Sequence, residues 1–267
     1  MKIDKNGISN VDKVQAVSLL NNLRTGKRVY GNVAEGLKIT LKKLDKAFES
    51  DRASKSSNWE LVDSEHKANI AKLKAGIRGE EMLADYLSKI IRKNKKLDGI
   101  VVFTSLASDD INEEKDVDYI PDTDFIVTYG SHLMILDAKN IATNPEMPIY
   151  MEGNTLCLPG GKELLTIHPS TGVWKGIFES KSIPYKSIQE MFVIINNKGA
   201  LIWKNEDYYK ILSKPIFIGD LEEHLEAWIE NIGDEPLSLK LATQVAKMQI
   251  RKEKVMKFDE AVMTRFN

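Results

Sequence analysis

The chain has 267 residues, of which 42% are hydrophobic and 29% charged, and 38 Lys+Arg nearly balance 39 Asp+Glu for a formal net charge of −1. That is the make-up of a globular chain with a sizeable core. The single cysteine, Cys157, excludes an internal disulfide, and no apolar run reaches the roughly 20 residues of a membrane span. The start, Met1 to Gly7, is polar and has no apolar signal core, so the expectation is a cytoplasmic protein without a membrane partner. Neither a Walker A sequence nor a zinc-ligand spacing occurs, which excludes a P-loop ATPase and a zinc protein.

Residues 1–75 read as a helical N-terminal region. Val11 to Leu20 has apolar residues at helical spacing with Asn10 as a cap, and a second helix runs from about Val33 to Phe48 on the stripe Leu37, Leu41, Leu44. Ser50 to Asn58 is a polar break that predicts a linker. This region carries 15 Lys+Arg against 9 Asp+Glu, and the remainder 23 against 30. A basic arm beside an acidic body suits nucleic acid, the acidic body itself, or a second copy of the chain in a homodimer.

A long helical stretch follows over about Trp59 to Lys93. Ile77, Met82, Leu83, Tyr86, Leu87, Ile90 and Ile91 form its apolar stripe. Gly76 and Gly79 inside that pattern cost about 1 kcal/mol each relative to Ala, so a helix break, close packing on a sheet or room for a ligand must offset them. Ile100 to Thr104 is a buried strand, and Ser108 to Asp122 an acidic loop. Short strands at Pro148–Met151, Thr155–Leu158 and Leu164–Ile167 form a β-rich insertion over about 148–167. A short helix spans Gly172 to Ser180. Met191–Ile195, Ala200–Trp203 and Pro215–Ile218 are further strands. Asp220 caps a helix to Glu230, and residues 233–267 form a C-terminal helical tail from Leu237 to about Phe258. Strands and helices in this order predict an α/β fold, a mixed sheet flanked by helices.

Thr123 to Asn140 reads as two strands joined by a tight turn at Tyr129-Gly130-Ser131. Alternation along a strand puts Asp137 and Lys139 on the same face, with Asp124 on the partner strand. Leu133-Met134-Ile135-Leu136 is apolar on both faces, so an acid and a base end a central strand, which is costly without a partner or an ion. Phosphodiester hydrolysis needs an activated water and stabilisation of charge on phosphate and leaving oxygen, and a divalent ion supplies both. Mg²⁺ is typically held by one or two carboxylates with water and phosphate. Asp124 and Asp137 are such ligands, the carbonyl of Ala138 a further one, and Glu80 a third carboxylate from the long helix. Lys139 would orient the water or neutralise the phosphate. A structural ion pair between Asp137 and Lys139 is the plainer alternative.

Gly76-x-x-Gly79-Glu80, then Asp122-Thr123-Asp124-Phe125-Ile126-Val127, then Leu133-Met134-Ile135-Leu136-Asp137-Ala138-Lys139-Asn140 resemble the nuclease-related domain (NERD) of the PD-(D/E)xK nuclease superfamily. The resemblance covers about Gly76 to Glu230, a nuclease domain over residues 76–232. It implies a restriction-endonuclease-like fold and Mg²⁺- or Mn²⁺-dependent cleavage of nucleic acid, DNA before RNA. Glu80 is then the helix acid, Asp124 and Asp137 the metal ligands, and Lys139 the catalytic lysine. The chain departs from the family pattern at Asp137, where Glu is more usual. It departs again at His168-Pro169-Ser170-Thr171-Gly172, where members often carry Asn-Pro-x-x-Gln. The alternative function is a nuclease-fold module that binds nucleic acid or a protein without cutting.

Overall fold

The computed structural model describes residues 3–4, 13–54, 59–107, 122–141, 144–196, 198–203 and 215–249. In chain order they form β1 (Ile3–Asp4), α1 (Lys13–Arg24), β2 (Val29–Tyr30), α2 (Glu35–Ser54) and α3 (Trp59–Lys93). Then come β3 (Val101–Ala107), β4 (Asp122–Tyr129), β5 (His132–Lys139), β6 (Ile149–Glu152), β7 (Thr155–Cys157) and β8 (Glu163–Thr166). The chain continues with α4 (Thr171–Ser180), β9 (Ser187–Ile194), β10 (Leu201–Trp203), β11 (Ile216–Phe217), α5 (Leu221–Ile232), β12 (Leu237–Ser238) and α6 (Leu239–Lys247). The fold is α/β, with mixed sheets flanked by helices, as the element order predicts.

The main sheet has six strands in the order β11-β9-β5-β4-β3-β2. β3, β4 and β5 run antiparallel, and β9 joins β5 in parallel. β5 is central, which explains why Leu133 to Leu136 is buried throughout. Leu133 and Ile135 enter one core with α1, α4 and α6, packing on Leu19, Trp174 and Val245. Met134 and Leu136 enter the other with α3 and α5, on Leu87 and Leu225. Period-2 alternation thus sorts one apolar run into two cores. A second sheet, in the order β10-β6-β7-β8, holds the expected β-rich insertion and covers a smaller core around Phe192 and Ile194.

Four expectations change. The N-terminal region does not stand apart as a helical arm. Ala16, Leu19 and Leu23 of α1 are buried against α6, and β2 extends the main sheet beside β3. The apolar stripe of α1 is a core face, and covering it is what fixes the helix. Secondly, α5 begins from a 3₁₀ turn, Ile218–Asp220, and the Asp220 side chain makes no capping bond. Thirdly, the last helix starts two residues late. Leu237–Ser238 pairs with β1 as a strand, and Ser238 Oγ then caps α6 by accepting from the Leu241 N–H at 3.3 Å. Fourthly, α2 runs on through Ser54, so the first part of the expected Ser50–Asn58 linker is helix. Asn10, residues 55–58, the acidic Ser108–Asp122 loop up to 121 and the chain after 249 lie outside the described residues. No described helix is long and apolar enough to cross a membrane.

Candidate active site at the end of the central hairpin

α3 is continuous through Gly76 and Gly79, so close packing is what offsets their cost. A Cβ on Gly79 would lie 2.8 Å from Asn140 Cβ, and one on Gly76 would lie 2.9 Å from Leu37 Cδ1. The missing side chain at 79 lets the helix backbone come down onto the chain leaving β5. Asn140 fixes the approach by donating from Nδ2 to the Ala75 carbonyl at 2.5 Å. The next helix residue, Glu80, is thereby buried at the C-terminal end of β5, with 5% of its surface exposed.

The β4–β5 ladder runs down to the pair Phe125–Leu136. Asp124 and Asp137 come next on these adjacent strands, just beyond the last paired residues. Asp124 Oδ2 accepts the Ala138 N–H at 2.7 Å. On its other side, the β3–β4 ladder passes from Thr104–Phe125 to Leu106–Thr123 without a pair at Ser105. Ser105 is in the left-handed region at φ 51°, unusual for a non-glycine residue in a strand. Its hydroxyl donates to the Asn32 carbonyl and accepts the Glu35 N–H at 3.0 Å, so it holds the start of α2. Lys139 Nζ lies 2.6 Å from Asp137 Oδ2 and 5.8 Å from the centre of the Phe192 ring. Both members of that ion pair are partly exposed, at 23% and 25%.

Burial raises the pKa of Asp124 well above the ordinary aspartate range, and the nearby carboxylates of Glu80 and Asp137 raise it further. Lys139 and the Ala138 N–H act in the opposite direction without cancelling the rise. The four residues singled out in the sequence therefore occupy one electrostatic neighbourhood.

The helix start that departs from the family pattern is organised by a residue the sequence reading passed over. Glu190 of β9 is buried at 7% exposure. It accepts the Ser170 N–H at 2.9 Å, the Ser170 hydroxyl at 2.6 Å, the Thr171 N–H at 3.2 Å and the Thr171 hydroxyl at 2.8 Å. Ser170 and Thr171 thus face a carboxylate, and the first turn of α4 is capped from the neighbouring strand. A signal was present: Glu190 interrupts an apolar strand, the same logic that singled out Asp137. Gln189 points to the other face of β9. Trp174 is fully buried and belongs to the core, and His168 and Arg78 are exposed.

The donor set of Glu80, Asp124 and Asp137 is all oxygen and over-charged, which suits a hard divalent cation such as Mg²⁺ or Mn²⁺. Among the described residues no three His, Cys, Asp or Glu side chains converge as a metal-binding group. The chain matches no family model, no curated protein and no solved structure.

Proposed function

We propose that this chain is a metal-dependent nuclease of the PD-(D/E)xK type, on a restriction-endonuclease-like version of the α/β fold, most readily a DNA endonuclease. The observation that carries the reading is the meeting of Glu80, Asp124, Asp137 and Lys139 from α3, β4 and β5 at one end of the sheet, where burial first, and the carboxylates of Glu80 and Asp137 next, push the pKa of Asp124 up. A structural ion pair needs only Asp137 and Lys139; Glu80 and Asp124 bring two more acids into the same neighbourhood.

Asp124 and Asp137 would hold Mg²⁺ or Mn²⁺, which supplies an activated water and charge stabilisation when bound. Lys139 gives up its contact with Asp137 and turns its ammonium toward the water or the phosphate oxygens. Phe192 limits where that ammonium can go, since its ring face favours the cation. Asp124 fixes the end of β5 through the Ala138 N–H, so the backbone between acid and lysine is held in place. Glu80 keeps negative charge behind the strand acids, favouring the loaded state over the empty one.

A second reading is supported by the closed Asp137–Lys139 pair and by Glu190, which fills the α4 N-terminus with a carboxylate where a phosphate would otherwise bind. In it the chain binds nucleic acid or a protein without cutting. One experiment separates the two. The full chain is incubated with supercoiled DNA, linear DNA and single-stranded RNA in Mg²⁺ or Mn²⁺, beside Asp137→Ala and Lys139→Ala. Metal-dependent cutting that both substitutions abolish is expected. No cutting by the parent in either metal, or cutting that survives both changes, sinks the nuclease reading.

A further inference from the structure

The opposite end of the same strands carries a second group of reactive side chains that phosphodiester cleavage does not use. His132 opens β5 and Ser187 opens β9, directly across from it in the parallel register. Ser187 Oγ lies 2.7 Å from His132 Nδ1. On the other side of the ring, His132 Nε2 lies 3.5 Å from Glu235 Oε1, in the connection between α5 and β12. Glu235 is in turn held by the Ser131 N–H at 3.4 Å and by the Lys186 ammonium.

Serine, histidine and glutamate come from three separate segments and line one cavity of about 490 Å³ between the sheet and α5. Met134 and Met191 form its apolar floor and Trp228 a wall. The lining mixes these apolar side chains with convergent polar ones, as small-molecule sites do. The carboxylate beside Nε2 favours the tautomer protonated there, which leaves the Nδ1 lone pair to accept the Ser187 O–H. A nucleophile within hydrogen-bond reach of a base, and a base oriented by a third group, is the geometry that activates a serine. The ring nitrogens are used in the reverse of the commoner order, which changes neither role.

We propose that Ser187, His132 and Glu235 form a second catalytic site that hydrolyses small carboxylic esters. Ser187 Oγ attacks the ester carbonyl carbon and its proton passes to His132 Nδ1. The tetrahedral intermediate collapses, the bond to the alcohol oxygen breaks, and the alcohol leaves with the proton from His132. Water then attacks the acyl-serine, giving its proton to His132, and the carboxylic acid leaves as His132 returns the proton to Ser187. Glu235 touches neither substrate nor nucleophile and acts as a positioning residue. Lys186 and the Ser131 N–H keep it ionised by holding its pKa below the usual glutamate range. Gln189 is on the same face of β9 as Ser187 and lines the same cavity.

The test exposes the full chain to a biotinylated fluorophosphonate in EDTA, so that the metal site plays no part. Ser187 Oγ displaces fluoride from phosphorus, and peptide mass spectrometry locates the adduct. The expected result is one adduct on Ser187, absent in Ser187→Ala and formed on the order of 100-fold more slowly in His132→Gln. Glu235→Gln, which preserves volume, should slow labelling less and alter the rate of p-nitrophenyl acetate hydrolysis in parallel. Thermal midpoints confirm that each variant is folded; if His132→Gln is not, Glu235→Gln carries the comparison. An unlabelled parent, an adduct on another residue, or labelling that stays at the parental rate in the folded variants overturns the proposal.

Discussion

The two ends of β5 hold charged clusters of opposite character. At the N-terminal end, Glu235 has the ammonium of Lys186, the N–H of Ser131 and the ring of His132 around it, so its charge is met from three sides. At the C-terminal end, Glu80, Asp124 and Asp137 share a neighbourhood in which Lys139 is paired to Asp137. One carboxylate is pushed toward its ionised form and another toward its protonated form by the same physics with opposite surroundings. A cluster that satisfies itself holds strands together or orients a ring. We read the second cluster as one that an added cation completes.

That contrast predicts its largest effect at the over-charged end. Lys139→Ala should reduce metal-dependent cleavage on the order of 100-fold or more while the denaturant midpoint stays near that of the parent. Equal cutting rates would place Lys139 outside the chemistry.

Between the two ends, Glu190→Ala should cost about 3 kcal/mol. It strips the acceptor from the amides and hydroxyls of Ser170 and Thr171 at the buried start of α4. Urea unfolding measures the loss, and a change under about 0.5 kcal/mol would show that water replaces the carboxylate without cost.

Gly79→Ala sets a clash against a gain. Alanine favours the helix by about 1 kcal/mol, but its Cβ would meet Asn140 Cβ at 2.8 Å. Overpacking of that kind costs about 1–3 kcal/mol, so a net loss of about 1 kcal/mol is expected, with cleavage lost more than stability as Glu80 is lifted from the sheet. A stabilised variant would mean that α3 and β5 can separate freely.

Asp124→Asn should raise the stability of the metal-free protein at neutral pH. The parent carboxyl has a folded-state pKa above its ordinary 3.8, so the folded form binds the proton more tightly than the unfolded form. The parent therefore loses stability as pH rises from the ordinary aspartate range through the raised value, whereas the asparagine variant does not. Thermal melts from pH 4 to pH 8 in EDTA read the difference. A parent curve that rises with pH over this window relative to the variant would contradict the charge assignment.

The smallest effect belongs to the self-satisfied end. Lys186 is 60% exposed, so Lys186→Ala should cost under about 1 kcal/mol and less at high salt.

The strand pattern, the bounds of α3 at Trp59 and Lys93 and the neighbourhood of Asp124, Asp137 and Lys139 were legible because they are local. Alternation along β4 and β5 and one tight turn fix which side chains meet. The glycines of α3 announced that something must lie close, although only the structure identifies it as Asn140. The rest is non-local. Glu190 caps a helix whose first residue, Thr171, lies 19 positions earlier, and His132 meets Ser187 across 55 positions. No periodicity carries such pairs. Ser105 is invisible for another reason: its left-handed backbone is imposed by its bonds to Asn32 and Glu35, and serine carries no mark of it. The basic charge of the N-terminal region left its partner open between nucleic acid, the acidic body and a second copy, while the buried stripe Ala16, Leu19, Leu23 ties α1 to the core.

We read the C-terminal end of β5 as a carboxylate cluster that a divalent cation completes. Crystals of the full chain soaked in Mn²⁺ and measured at the manganese edge test it most directly. The account predicts an anomalous peak within about 2.5 Å of oxygens from both Asp124 and Asp137, absent in Asp137→Ala. No peak there, or one held by other residues with Asp137 still on Lys139, would contradict it.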